Sequence, residues 1–153
     1  MASRTSRSAR TIDVVYRFDL TRPARRRGPR SAVEALGRLE RGNRSFATLL
    51  DGQAHGPRII PVDPGEVGHG PEAGLAPTQR PFAAVLGCAD ARVPVEMVFQ
   101  QRANDLFVVR VAGNGLGSGC LGSLRYAAGN FAESLRLVLV LGPVSYTHLT
   151  LPT

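Results

Sequence analysis

Three short apolar runs, Phe82-Ala83-Ala84-Val85-Leu86, Leu106-Phe107-Val108-Val109 and Leu137-Val138-Leu139-Val140-Leu141, constrain this chain more than any other feature. Each has the length of a β-strand, and the stretches between them carry helical punctuation. Strands are predicted over 82–86, 105–110 and 136–141. Pro94, suited to a first helical turn, opens a short helix through about 101, and a second helix over 120–133 presents Leu121, Leu124, Ala127, Ala128 and Phe131. Parallel neighbours need such crossovers, so the alternation predicts an α/β fold, a parallel β-sheet core with flanking helices. The unbroken run 136–141 reads as a strand buried on both faces. Ligands of such sheets gather at the carboxyl ends of the strands.

Upstream, Ser31-Ala32-Val33-Glu34 has the pattern of a capping box, and Val33, Leu36, Leu39, Phe46 and Leu49 recur at roughly helical spacing. This predicts a helix over 32–50, an N-terminal helical arm, with a weak point near Gly42-Asn43. Residues 52–80 are rich in Pro and Gly and read as a long surface connection. His55 and His69 fall within it and read as solvated loop histidines. With 153 residues, 43% of them hydrophobic and 20% charged, the chain reads as one ordinary domain.

The net charge of +7 is carried by Arg alone and is unevenly placed. Residues 1–44 hold twelve Arg against Asp13, Asp19, Glu34 and Glu40, whereas the remainder holds seven Arg against eight acids. Residues 1–30 therefore read as a basic, solvated and partly disordered extension. A nucleic-acid surface needs aromatic readout beside the charge, and only Tyr16 and Phe18 lie there, so no nucleic-acid partner is expected. No run approaches the ~20 apolar residues of a membrane span, and the amino terminus lacks the apolar core of a signal peptide. These features predict a cytoplasmic protein with no membrane partner. An Arg- and Ser-bearing, acid-poor arm also suits an organelle transit peptide.

The chemistry is concentrated in Cys88-Ala89-Asp90-Ala91-Arg92-Val93-Pro94, directly behind the first strand. A thiolate is a good zinc ligand, and a carboxylate two residues from a guanidinium can form an ion pair that aims a hydrogen bond. Cys120, with no such neighbours, reads as a small buried hydrophobe. Gly113-Asn114-Gly115-Leu116-Gly117-Ser118-Gly119 lacks the Lys-Ser/Thr of a phosphate loop and follows the second predicted strand, so it reads as a turn beside the active site.

The chain here resembles a known family, the β-class carbonic anhydrases. The resemblance rests on the Cys88–Pro94 segment, on Asp105-Leu-Phe-Val-Val-Arg110 with Ala112-Gly113-Asn114, on Gly122-Ser-Leu-Arg-Tyr126-Ala, and on Ala35-Leu-x-Arg-Leu-x-x-Gly42-Asn43-x-x-Phe46. It implies reversible hydration of carbon dioxide to bicarbonate by a zinc-bound hydroxide, the ion lowering the pKa of its water from about 15.7 toward about 7. Cys88 matches the first metal ligand. Asp90 and Arg92 match the catalytic dyad, and Asp90 is also the family's alternative metal ligand. Gln79 and Phe107 match substrate-binding positions, an amide and an apolar wall. The resemblance further implies a homodimer or a multiple of dimers, with the arm packed on a partner. Hydrolysis of carbonyl sulfide, or a metal-free binding or regulatory role, are the alternatives it leaves open.

The family's other two zinc ligands lie in a His-x-x-Cys motif directly after the third strand. Here Gly142 is followed by Pro143, Val144, Ser145 and Tyr146, and His148 comes five positions late. The expectation is a partial domain over 31–142 followed by a tail, 143–153, foreign to it. Such a chain should have little or no hydratase activity.

Overall fold

The computed structural model describes residues 11–20, 27–51, 56–69 and 77–142. Within them the order is β1 (Val14–Phe18), α1 (Ala32–Leu50), β2 (Arg58–Val62), β3 (Ala83–Cys88), α2 (Val95–Val98), β4 (Leu106–Val111), α3 (Ser118–Asn130) and β5 (Leu137–Leu141). All strand pairing is parallel, in a three-stranded sheet ordered β4-β3-β5 and a two-stranded sheet of β1 and β2. The α/β architecture expected from the sequence is the one observed.

Helix α1 has the predicted bounds because both ends are set locally. The Ser31 hydroxyl accepts the Glu34 N–H at 3.2 Å, and the Glu34 carboxylate reaches back to the Arg30 N–H at 2.8 Å. Gly42 does not break the helix. A Cβ there would stand 1.8 Å from the carbonyl oxygen of Phe99, so the glycine is what lets α1 lie against the end of α2.

The sheet divides the apolar residues by strand alternation. On one face Ala83 and Val85 meet Ala35, Leu39, Val95 and Phe99, flanked by Leu106, Val108, Leu137, Leu139 and Leu141. On the other, Ala84 meets Ala127 and Phe131, with Phe107, Leu124 and Leu135 around them. The central strand β3 is therefore covered on both sides, and its Ala83 to Gly87 are all buried.

Four features depart from the sequence reading. The run in β5 is covered on one face only: Val138 and Val140 are 53% and 64% exposed. β5 is an edge strand, and α3 packs toward β4 and β3, which leaves the second face of β5 open. α2 stops at Val98, well short of 101, because Gln100 takes a left-handed φ of 51°. α3 begins and ends earlier than expected, at Ser118 and Asn130, with Leu121 and Ala128 on its exposed side. Finally, the extension and the long connection contribute β1 and β2, whose register pairs Val14 with Arg58. Pro61 interrupts the strand pattern of β2, and proline is tolerated in edge strands. The connection also holds a 3-10 turn, Pro64–Val67, capped by the Asp63 carboxylate on the Gly65 N–H.

A buried ionic cluster ties these parts together. Arg38 of α1 meets the Asp105 carboxylate at 2.5 Å, its guanidinium 4.6 Å from the Phe82 ring centre. Arg102, 5% exposed, lies 3.6 Å from Asp105 and 3.4 Å from Glu66. Burial raises the Glu66 carboxyl above its ordinary range, against the lowering pull of Arg102. No helix among the described residues is long and apolar enough to cross a membrane. His55, His148 and residues 143–153 lie outside the described residues.

Candidate active site

Cys88 ends the central strand, one residue past Gly87, which is paired on both sides; its own backbone is laddered to Val111 of β4, and its half-buried thiol reaches the sheet's carboxyl edge. The turn between β4 and α3 comes up beside it. Gly113, at φ 62°, directs its N–H to the Cys88 sulfur at 3.4 Å. Asn114, also left-handed at φ 59°, donates its side-chain amide to the Leu141 carbonyl at 2.7 Å and so ties this turn to the end of β5. The glycine-rich stretch is thus a turn beside the thiol, as its sequence suggested.

Asp90 and Arg92 form a side-on pair. Arg92 Nε lies 2.9 Å and 3.2 Å from the two carboxylate oxygens, and Nη2 lies 2.5 Å from Oδ2. The backbone N–H of Arg92 donates to Oδ1 as well, at 2.9 Å. These bonds from Arg92 hold the Asp90 carboxyl down at about 2, against an ordinary value of 3.8. The carboxylate is consequently ionised at any physiological pH and can only accept hydrogen bonds. A water or hydroxide brought to it must donate, which turns the oxygen's lone pair away from Asp90 toward whatever lies opposite.

Gln79 and Phe107 are not beside this turn. Phe107 pairs in register with Ala84, four residues before Cys88, and at about 3.3 Å per residue that is roughly 13 Å along the strand. Gln79 precedes β3 and lines a pocket of about 510 Å³ with Phe107, Glu66, Asn104 and Val108. The Phe107 ring is braced by Phe131 at 5.6 Å and Tyr126 at 6.3 Å. One chain therefore brings Cys88, Asp90 and Arg92 together at one end of the sheet, and Gln79 and Phe107 together toward the other.

Two further residues shape these places without having been singled out from the sequence. Asn104, at φ 66°, donates to the Thr78 carbonyl at 3.0 Å and accepts the Arg80 N–H at 2.9 Å, bracketing Gln79 from both sides. Arg110 bonds the backbone of the Cys88 turn. The available signal was an Arg inside an otherwise apolar strand pattern.

Residues 83–143 match the family model for carbonic anhydrase. This stretch of the chain is similar to the carbonic anhydrases. "Carbonic anhydrase 2" of Mycobacterium tuberculosis, strains CDC 1551 / Oshkosh and H37Rv, is 47% identical over 70 residues, 46% of this chain and 33% of the relative. The carbonic anhydrase of Mycolicibacterium smegmatis is 39% identical over 98 residues, 64% of this chain and 46% of the relative. The chain thus spans between a third and a half of the length of the curated carbonic anhydrases it matches.

The family implies zinc, and the described donors do not fit it. No group of three or more His, Cys, Asp or Glu side chains converges among the described residues. Catalytic zinc takes about three protein ligands. Here Cys88 offers one thiol, and both oxygens of Asp90 are already engaged by Arg92.

Proposed function

We propose that this chain carries the substrate-orienting part of a carbonic anhydrase, an enzyme that hydrates carbon dioxide reversibly to bicarbonate and a proton. The observation that carries the reading is the side-on Asp90–Arg92 pair beside the Cys88 thiol at the carboxyl end of the central strand. Arg92 keeps Asp90 ionised and fixes the plane of its carboxylate. Asp90 then accepts a hydrogen bond from the attacking oxygen's O–H, so that the oxygen's lone pair faces the carbon dioxide. Cys88 is read as the first of the ligands for zinc. The described residues supply no complete set, so no step through the ion is assigned to this chain.

A second copy of the chain belongs to this reading. Its support is the separation of Gln79 and Phe107 from Cys88 within one chain, together with the exposed apolar side chains of β1, Val14, Val15, Tyr16 and Phe18. Gln79 and Phe107 of one protomer would face the thiol and dyad of the other, and the occupant would be carbon dioxide or bicarbonate.

The test uses the 153-residue chain and a chimera in which residues 143–153 are replaced by the corresponding carboxyl-terminal portion of the M. tuberculosis relative. Zinc content is measured by atomic absorption, and carbon dioxide hydration by stopped flow, with carbonyl sulfide as the competing substrate. The chain alone should hold well under one zinc and show no hydration. The chimera should bind zinc and hydrate carbon dioxide, and Asp90→Ala should abolish hydration while zinc stays bound. A zinc-loaded chimera that leaves carbon dioxide untouched would overturn the proposal, as would hydration undiminished by Asp90→Ala.

A further inference from the structure

The turn that carries the site has little regular structure of its own. Between the end of β3 and the start of α2 its backbone makes a bond from the Ala89 N–H to the Val111 carbonyl at 3.2 Å and one from the Val93 N–H to the Asp90 carbonyl, also at 3.2 Å. Its carbonyl oxygens are instead gathered by one side chain from the neighbouring strand. Arg110 Nε donates to the Cys88 carbonyl at 3.1 Å, and Nη2 donates to the Asp90 carbonyl at 2.5 Å and to the Val93 carbonyl at 3.4 Å. These three acceptors span the whole turn.

We propose that Arg110 is the positioning residue of this turn: by holding the carbonyls of Cys88, Asp90 and Val93 on one guanidinium, it sets where the thiol and the Asp90 carboxylate stand relative to each other. The inference rests on the reading of Asp90–Arg92 as the orienting pair, and it assigns Arg110 an action through Asp90 and none on substrate. The register makes the arrangement possible. Arg110 pairs with Gly87, one residue before Cys88, so its side chain starts beside the root of the turn, and Gly87 adds no Cβ to the space where Val95 already packs. Chemistry makes it specific to arginine. A guanidinium offers several donors in a fixed plane and stays charged at every working pH, whereas a lysine ammonium is a point charge that cannot reproduce the fork. Arg92 cannot replace it, because its own guanidinium is occupied side-on by the Asp90 carboxylate.

The test is amide hydrogen exchange on the full 153-residue chain, its Arg110→Ala variant and its Arg110→Lys variant, with β3 and β4 amides as internal references. In Arg110→Ala the Arg92 and Val93 amides should exchange about tenfold faster or more, while the strand amides keep their rates. Guanidinium at low millimolar concentration should restore part of that protection in Arg110→Ala and change nothing in the wild type. Arg110→Lys should fall between the two. Wild-type rates at Arg92 and Val93 in the alanine variant would overturn the inference. So would an acceleration spread evenly over β3 and β4 that guanidinium does not reverse. Should Arg110→Ala fail to fold, Arg110→Lys decides, and wild-type protection there would also overturn it. The measurement needs neither substrate nor metal, so its failure is separate from failure of the hydration assay.

Discussion

Replacing Gly42 by alanine sets two well-known effects against each other at one position, and the structure says which wins. In an unconstrained helix the change favours folding by about 1 kcal/mol, since glycine loses more backbone freedom. Here the new Cβ would lie 1.8 Å from the Phe99 oxygen, 2.7 Å from its carbonyl carbon and 3.1 Å from Gln101 Nε2. Even a close carbon–oxygen contact needs about 3.3 Å, so α1 and the end of α2 must part by roughly 1.5 Å. Neither side gives easily. The Phe99 carbonyl accepts from Gln101 Nε2 at 2.6 Å, the Phe99 ring is buried, and Asn43 ties α1 to the Val98 carbonyl at 3.3 Å. The separation also loosens Leu39 and Val95, each 1% exposed. Overpacking of this kind costs about 1–3 kcal/mol, and the rigid backbone neighbour places Gly42→Ala toward the upper end, a net loss of about 2 kcal/mol after the helix gain. For a domain of this size that lowers Tm by roughly 4–8 °C. The control is Gly37→Ala in the same helix, where the Cβ meets only the mobile end of Arg41 at 3.3 Å. Calorimetry with urea unfolding should show Gly37→Ala unchanged or stabilised and Gly42→Ala clearly destabilised. Equal or opposite behaviour of the two variants would refute the packing argument.

Two other outcomes follow from the ionic cluster beneath the sheet. Asp105→Asn removes the carboxylate shared by Arg38 and Arg102, leaving largely buried positive charge, and should cost about 3 kcal/mol at the urea midpoint with the m value unchanged; a loss under about 1 kcal/mol would show that desolvation already cancels the pair. Glu66→Gln should act through pH: a carboxyl whose folded pKa is raised binds its proton more tightly folded than unfolded, so the wild type loses stability as pH rises through the unfolded value of 4.5 and the higher folded one. The Tm of Glu66→Gln relative to wild type should therefore climb between pH 4 and pH 7, and a fall over that window would show the Arg102 contact outweighing burial.

What could be read from the sequence was what is decided locally. Helix α1 announced both ends because its caps, Ser31 and Asp51, directly flank the 19 residues that carry its periodicity. Cys88, Asp90 and Arg92 could be named because two-residue spacing suffices to place them on one turn. Strands β1 and β2 could not, since their pairing joins Val14 to Arg58 across a helix and neither strand is convincing alone. The open face of β5 depended on where α3 would lie, which no periodicity within β5 reports. Arg110 was visible as a charge in an apolar strand, but its reach to the turn depends on the Gly87–Arg110 register, a property of two strands together. The same limit explains Gln79 and Phe107: resemblance named them, and only the strand register revealed that they and Cys88 lie apart in one chain.

The two cysteines stand in unlike surroundings, Cys88 half-exposed at a strand end and Cys120 only 7% exposed on α3. A maleimide added to the folded chain thus meets one thiol at once and the other only when α3 lifts from the sheet. The interval between the first and second equivalents consumed is a clock for that lifting. Because α3 covers the sheet face carrying Ala84 and Phe107, the clock reports how firmly that side of the core stays closed in a chain whose other layer is built by α1.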